Sequence, residues 1–291
     1  MTILVTIPHF FDPSIKSGYG STTSPSAARL GSLKACLRGL NESVGSRQAS
    51  LLYMHAPVEG RGNGRLANVN NFSATRLDIV VCTTGESHLI GNDLPSGETF
   101  HHVKTSVQPM LLGFACHQIL KQNLGKYDYY CYMEDDLFLS DPLFFVKLKW
   151  FADTFGSESL LQPHRFETSE RQPVSKLYID GPVKTDFTAK WQDISIQKTV
   201  TADAMGHTFT FERTPNPHAG CFFLNAAQME TWSNAPHFLD ADTSFAGPLE
   251  SAASLGIMRT FRIYKPAAAS AGFLEIRHLA NRYLGSRLKL A

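Results

Sequence analysis

The chain has 291 residues, of which 43% are hydrophobic and 18% are charged, and its formal net charge is +1. This composition can bury a substantial core, and it excludes disorder of the whole chain. A chain this close to neutral lacks the overall basic field that drives sequence-independent nucleic-acid binding, so nucleic acid is not expected as a partner.

The cysteines and the first residues bear on the cellular compartment. The five cysteines are widely spaced in apolar segments and include no Cys-x-x-Cys pair, which is typical of buried thiols in a reducing compartment. The segment from Thr2 to Ile7 is short, lacks a positive flank and meets Pro8 at once. It therefore favours a first strand over a secretion signal or a membrane span. We predict a cytoplasmic protein.

The N-terminal half alternates strand and helix patterns. The predicted elements are a strand at 3–7, a helix at 26–40, a strand at 76–83, a helix at 108–124 and a strand at 127–133. A Gly/Ser/Pro-rich stretch from Pro8 to Pro25 follows the first strand, and loops of this length often form binding walls. Alternating strands and helices predict a parallel, helix-flanked sheet, in which ligands bind at the carboxyl ends of the strands.

Three consecutive carboxylates follow the aromatic, β-prone run at 127–133: Glu134, Asp135 and Asp136. They would emerge together where the strand stops and repel one another. A bound Mg²⁺ or Mn²⁺ would relieve the repulsion, because hard divalent cations prefer oxygen ligands and leave positions for water and substrate phosphates. The alternative interpretation is a solvated acidic turn, since Asp141-Pro142 follows closely.

The C-terminal half begins with an amphipathic, aromatic segment at 143–155, for which we predict a helix. Further along, strands are predicted at 176–179, 207–211 and 218–224, and a helix at 226–232. The short strands and polar stretches between 160 and 211 are interpreted as a subregion that faces an acceptor.

A second pattern of chemical interest lies at 245–266, where an acid opens a predicted helix and a β-prone run follows. Pro248 suits the first turn, and the helix dipole stabilises a carboxylate such as Glu250 near the N-terminus. Gly256 could supply the C-terminal cap of this helix.

The acid triplet and the 245–266 segment together resemble the GT-A type glycosyltransferases, in which an Asp-x-Asp element closes a strand and holds a metal against the diphosphate of a nucleotide sugar. The resemblance covers nearly the whole chain. It implies an α/β fold with a mixed, mainly parallel, Rossmann-like central sheet flanked by helices. It also implies a single domain, with 1–142 as the nucleotide-sugar-binding half and 143–291 as the acceptor-binding and catalytic half.

The resemblance also implies roles for particular residues. In inverting members, the acid at Glu250 removes the proton from the acceptor hydroxyl; the family usually has Asp where this chain has Ser251, and Asp240 and Asp242 are alternative acids nearby. In a retaining enzyme Glu250 would position substrate instead. The implied ligands of Mn²⁺ or Mg²⁺ are Glu134, Asp135, Asp136 and His278. The implied contacts to the nucleotide sugar are Pro8, His9, Asp135 and Gly220.

The expected partners are a nucleoside-diphosphate sugar and a glycan or other hydroxyl acceptor, in polysaccharide or glycoconjugate synthesis. A metal-dependent nucleotidyltransferase is an alternative, although no Gly-rich, basic triphosphate loop follows the first strand. A non-catalytic sugar- or partner-binding module is another. The basic segment at 277–289 could make weak peripheral contact with an anionic membrane surface.

Overall fold

A computed structural model describes residues 1–15, 24–54, 64–91, 99–168, 175–181, 183–280 and 283. The α-helices within these ranges are α1 (Ser26–Ser43), α2 (Leu112–Gln122), α3 (Phe144–Phe155), α4 (Ala226–Ser233) and α5 (Pro248–Met258). The strands are β1 (Thr2–Pro8), β2 (Ser50–Met54), β3 (Gly64–Asn68), β4 (Arg76–Thr84), β5 (His101–Thr105), β6 (Tyr129–Met133), β7 (Leu137–Phe138), β8 (Ser159–Leu161), β9 (His164–Thr168), β10 (Lys176–Tyr178), β11 (Thr199–Ala204), β12 (His207–Arg213), β13 (Cys221–Asn225), β14 (Arg262–Pro266) and β15 (Glu275–His278). Short 3₁₀ helices occupy Ser46–Ala49, Pro109–Leu111, Thr185–Thr188 and Ala268–Phe273.

A five-stranded sheet with the order β13-β6-β1-β4-β5 contains the predicted N-terminal strands. Strands β6, β1, β4 and β5 run parallel, and β13 pairs with β6 in the antiparallel direction. Because neighbouring parallel strands end at the same edge of a sheet, the carboxyl ends of β1 and β6 lie side by side. His9 follows the first of these strands and Glu134 follows the second.

Both faces of this sheet are buried. Successive side chains of a strand point to opposite faces, and accordingly Val5 of β1 belongs to one core cluster and Leu4 to the other. The first cluster contains buried residues of α1 and α3, and the second contains buried residues of α2, α4 and α5. The prediction of an α/β fold with a mainly parallel sheet flanked by helices is confirmed.

A second sheet, with the order β10-β9-β15-β7, brings the C-terminal strand to the acid triplet. Strand β7 begins directly after Asp136, and β15 pairs with it so that His278 lies opposite Leu137. On its other side β15 runs parallel to β9. A third sheet, with the order β11-β12-β14-β8, places β14 beside the short strand β8.

Helix α5 begins with Pro248 in its first turn, as predicted, but it continues through Gly256 and ends at Met258. The prediction that Gly256 caps this helix was wrong. A β-carbon at Gly256 would lie 2.8 Å from Nε1 and Cζ2 of Trp232. The glycine therefore allows α5 to pack closely against the indole of α4.

All five cysteines lie in the described part of the chain, where each is buried and no disulfide joins any two of them. Among the described helices, none is long and apolar enough to cross a membrane. Of the basic segment predicted to contact a membrane surface, Arg282, Arg287 and Lys289 lie outside the described residues.

Candidate active site

The acid triplet begins where β6 ends, and contacts from two other segments hold its backbone. Every residue of β6 is buried, and Glu134 is the first residue after it. The amide of Glu134 donates to the carbonyl of Gly220 at 2.9 Å, and the amide of Leu279 donates to the carbonyl of Asp136 at 2.9 Å. Gly220 precedes β13 and Leu279 follows β15, so three distant parts of the sequence meet at the acids.

Protein donors occupy the carboxylate of Asp135, which is only 4% exposed. Nη2 of Arg29, in the first turn of α1, lies 2.6 Å from each carboxylate oxygen. Nδ1 of His9 lies 2.5 Å from Oδ2, while the amide of Leu89 donates to Nε2 of His9 at 3.1 Å. A neutral His9 therefore carries its proton on Nδ1 and donates it to Asp135. The charge of Asp135 raises the pKa of Arg29 despite burial.

Asp136 faces a histidine and retains an unused oxygen. Its Oδ2 lies 3.5 Å from Nε2 of His278 and 3.6 Å from Nη1 of Arg29, whereas Oδ1 is buried without a hydrogen-bond partner among the described residues. Burial would raise the pKa of Asp136, but the hydrogen bond and charge of His278, followed by the charge of Arg29, lower it to about 2. Burial likewise acts to lower the pKa of His278, and Asp136 outweighs it, so that pKa is raised.

Glu134 pairs with Arg165 on the other side of the triplet, at 3.2 Å from Nη1 to Oε2. Burial raises the pKa of Glu134 to about 7, the charge of Arg165 opposes this, and the charge of Asp136 adds to the increase. Glu134 is thus poised between its protonated and ionised forms at neutral pH, in contrast to Asp136.

Arg165 belongs to a buried ionic network that also contains Asp180 and Lys265. Its Nε lies 2.9 Å from Oδ2 of Asp180 and its Nη2 lies 2.6 Å from Oδ1, a bidentate pair. Lys265 of β14 is 2% exposed, donates Nζ to the carbonyl of His218 and lies 3.7 Å from Oδ2 of Asp180. Burial would raise the pKa of Asp180, but the charges of Arg165 and Lys265 lower it. The guanidinium that meets Glu134 is therefore held in one orientation.

Glu250 lies in the first turn of α5, where it was predicted. Its Oε2 is buried and has no hydrogen-bond partner in the described chain. Its charge contributes to the raised pKa of both Glu134 and Tyr132, so the carboxylate lies within electrostatic range of the triplet. A buried carboxylate oxygen without a donor is costly. Glu250 therefore suits a role in which a ligand donates the missing hydrogen bond.

Ser251 takes a structural role at the position where the resembled family usually has Asp. Its Oγ accepts from the amide of Phe245 at 3.1 Å and donates to the carbonyl of Phe245 at 2.9 Å, which fixes the loop entering α5. The alternative acids Asp240 and Asp242 instead lie 2.7 and 3.7 Å from Nη1 of Arg259. Arg259 follows the opposite end of α5, so these two acids lie near the end of the helix that does not carry Glu250.

The residues predicted to contact a nucleotide sugar lie around the same edge. Pro8 ends β1, His9 follows it and contacts Asp135, and Gly220 lies against Glu134. Their contact with a ligand stays a prediction.

Within the described ranges, no group of three or more His, Cys, Asp or Glu side chains is arranged to hold a metal ion. Arg165 engages Glu134, while Arg29 and His9 engage Asp135. Asp136 and His278 remain as a pair whose Oδ2 and Nε2 lie 3.5 Å apart. Two neighbouring ligand atoms each about 2.1 Å from one octahedral ion lie about 3.0 Å apart. A movement of roughly 0.5 Å would therefore bring the pair to two neighbouring positions of a cation that takes its other ligands from water and phosphate.

Sequence reasoning missed the basic and acidic residues that surround the triplet: Arg29, Arg165, Glu167, Asp180 and Lys265. One signal was available on β9, where Arg165 and Glu167 alternate at the two-residue period of a strand and share its buried face. Charged residues on a buried strand face require partners, which marks such a strand as a candidate site.

No family model matches the chain, and neither does any curated protein. A solved structure of S. aureus TarS aligns over 92% of this chain and 35% of that chain, at 10% identity and a TM-score of 0.43. TarS 1–349 aligns over 97% of this chain and 61% of that chain, at 9% identity and a TM-score of 0.43. Glucosyl-3-phosphoglycerate synthase from Mycobacterium tuberculosis, in complex with Mn²⁺, uridine-diphosphate-glucose and phosphoglyceric acid, aligns over 91% of this chain and 68% of that chain, at 13% identity and a TM-score of 0.41. The chain thus spans about a third of the TarS chain, and alignments at these TM-scores establish neither an activity nor a ligand for it.

Proposed function

We propose that this protein is a metal-dependent glycosyltransferase of GT-A type, which moves a sugar from a nucleoside-diphosphate donor to an acceptor hydroxyl in polysaccharide or glycoconjugate synthesis. The relation between Asp136 and His278 carries the proposal. Their facing atoms lie 3.5 Å apart, and the second oxygen of Asp136 is buried without a partner among the described residues. The pair lies at the carboxyl end of a parallel sheet, where α/β folds bind ligands.

Asp136 and His278 would hold Mn²⁺ or Mg²⁺, and the bound ion would supply the positive charge that stabilises the leaving diphosphate. Pro8, His9 and Asp135 would contact the donor, with Arg29 keeping the Asp135 carboxylate in place. Glu134 and Asp135 would join the ion only if Arg165 and Arg29 released them.

Glu250 would accept the proton of the attacking hydroxyl in an inverting reaction. The support is its buried Oε2, which lacks a donor among the described residues, together with its position near Glu134. In a retaining reaction the same carboxylate would accept a hydrogen bond from the substrate and orient it.

The chain is proposed to divide into a half that binds the donor and a half that binds the acceptor. Residues 1–142 contribute β1 and the acid triplet and would form the nucleotide-sugar-binding half of a single domain, while 143–291 contribute Glu250 and His278 and would form the acceptor-binding and catalytic half. The five buried cysteines without disulfides support a cytoplasmic location.

A thermal-shift panel of UDP, UTP, GDP, CMP and UDP-sugars, each with and without Mn²⁺, tests the proposal. A ligand at about 100 times its Kd should stabilise the native state by roughly 2.7 kcal/mol, which raises Tm by several degrees. We expect a metal-dependent response that Asp136→Ala abolishes. Asp153→Ala, which removes an exposed acid paired with Lys149 on α3, is the matched control and should respond like the wild type.

Each other outcome of the panel contradicts the proposal in a different way. Nucleotide binding that does not depend on metal would indicate a non-catalytic binding module. A response to UTP that exceeds every response to UDP and UDP-sugars would indicate nucleotidyl transfer. A flat panel, or an unchanged response in Asp136→Ala, would leave the acids without the proposed role.

A further inference from the structure

His278 makes contacts on both sides of its ring. Nδ1 lies 2.9 Å from Oε1 of Glu167, and Nε2 lies 3.5 Å from Oδ2 of Asp136. Glu167 is 0% exposed. The sheet brings the first pair together, because β15 runs parallel to β9 with Arg277 opposite Phe166, so that the next residue on each strand is also adjacent. Glu167 thus lies on the side of the imidazole that faces away from the acid triplet.

The hydrogen-bond pattern around Glu167 determines which nitrogen of His278 carries a proton. Oε1 of Glu167 also accepts from the backbone amide of Tyr283 at 3.2 Å. An ionised carboxylate can only accept, so a neutral His278 must place its hydrogen on Nδ1. The lone pair of Nε2 then faces Oδ2 of Asp136, and these two electron-rich atoms repel each other unless a proton or a metal ion lies between them.

We propose that Glu167 is a positioning residue, which fixes the tautomer and ring orientation that His278 needs to bind a divalent cation together with Asp136. The inference rests on the proposed function, because it presumes that this pair binds a metal. Carboxylates that accept from the second nitrogen of a metal-bound histidine act in this way, and losing one typically weakens metal affinity by about 10- to 100-fold.

The test is a titration of the full-length protein with Mn²⁺ in the presence of UDP, followed by EPR of the free ion. Glu167→Leu removes the acceptor, and the Mn²⁺ affinity should fall by about 10- to 100-fold. Glu167→Gln keeps a carbonyl oxygen that can accept from Nδ1, and it should restore the affinity to within a few-fold of wild type. Glu275→Gln is the matched control on β15, since Glu275 bonds Lys176 and Tyr178, and it should bind Mn²⁺ like the wild type.

A second readout separates positioning from mere support of the fold. Pulsed EPR of the bound Mn²⁺ should show a nitrogen coupling that His278→Ala removes and that Glu167→Leu weakens. If Glu167→Leu does not fold, nitrogen-15 NMR of the metal-free wild type in alkaline solution still shows which nitrogen of the neutral His278 ring carries the proton. A proton on Nδ1 of His278 is expected, and a proton on Nε2 would overturn the inference.

The remaining outcomes are distinguishable. Unchanged Mn²⁺ affinity and nitrogen coupling in Glu167→Leu would overturn the role of Glu167 alone. A wild-type protein that binds no Mn²⁺ with UDP would instead contradict the proposed function itself.

Discussion

A β-carbon on Gly220 would lie 2.5 Å from Oε2 of Glu134 and 2.9 Å from Nη1 of Arg165. Gly220 also has a φ of +62°, in the left-handed region that favours glycine. The ion pair between Glu134 and Arg165 therefore rests directly on the backbone before β13. No residue with a side chain can occupy this position without moving the pair.

Gly220→Ala should destabilise the protein more than Gly206→Ala does. Gly206 has a φ of +76° in the turn between β11 and β12, and a β-carbon there would meet nothing within 4 Å. Both substitutions carry a conformational cost of about 1–2 kcal/mol, but only Gly220→Ala forces Glu134 off Arg165, which should add about 1 kcal/mol or more. Urea unfolding of both variants measures the difference, and equal losses would show that Glu134 moves aside freely.

The stability of the metal-free protein should fall as the pH rises through the titration of Glu134. Its ordinary pKa of 4.5 is raised to about 7 by burial in the folded state. A raised pKa means that the contribution to stability is fully present below the ordinary value and is lost as the pH rises through the folded value. Glu134→Gln imitates the protonated form. The wild type and this variant should therefore be similarly stable below about pH 4.5, and the variant should gain relative to the wild type up to about pH 7.

Urea unfolding at a series of pH values, in buffer with a chelator, checks that prediction. A difference between the wild type and Glu134→Gln that stays constant across the whole range would show that Glu134 ionises normally in the folded protein.

Glu250→Gln should reduce sugar transfer while leaving donor binding intact. The amide preserves the size of the side chain but cannot accept a proton, so sugar transfer should fall by about 10²- to 10⁴-fold if Glu250 is the general base. The metal-dependent thermal shift with the donor should remain, since Asp136 and His278 are intact. Transfer assayed beside the thermal shift gives both readouts, and normal turnover would show that Glu250 is not the base.

Two of the glycines inside helices, Gly31 and Gly256, should respond in opposite directions to alanine. Gly31 of α1 has nothing within 4 Å of its β-carbon position, so Gly31→Ala should stabilise the protein by up to about 1 kcal/mol through helix propensity. At Gly256 the new methyl group would meet the ring of Trp232 at 2.8 Å. The indole is buried, so overpacking should cost about 1–3 kcal/mol and outweigh the propensity gain. Thermal unfolding of both variants tests this; a gain at Gly256 would show that α4 and α5 can separate.

Several helices and strands could be predicted from the sequence because the pattern of neighbouring apolar and polar residues determines them. The buried strands β1, β4 and β6 are apolar runs of the length of a strand, and α1, α2, α3 and α4 lie close to their predicted ranges. Strand β5 went unpredicted because it is polar and partly exposed, so no apolar period marks it. Strand β9 went unpredicted because its buried face carries Arg165 and Glu167.

The amino-acid sequence by itself determined that three acids follow a buried strand and that Glu250 opens a helix, since both features depend on neighbouring residues. Only the tertiary structure decided which of the three acids keeps a carboxylate oxygen without a partner among the described residues. Arg29 and Arg165 occupy Asp135 and Glu134, while Asp136 is left facing His278. These partners come from three separate segments that the fold brings together, and the charge and hydrogen bonding of a carboxylate depend on its neighbours in space.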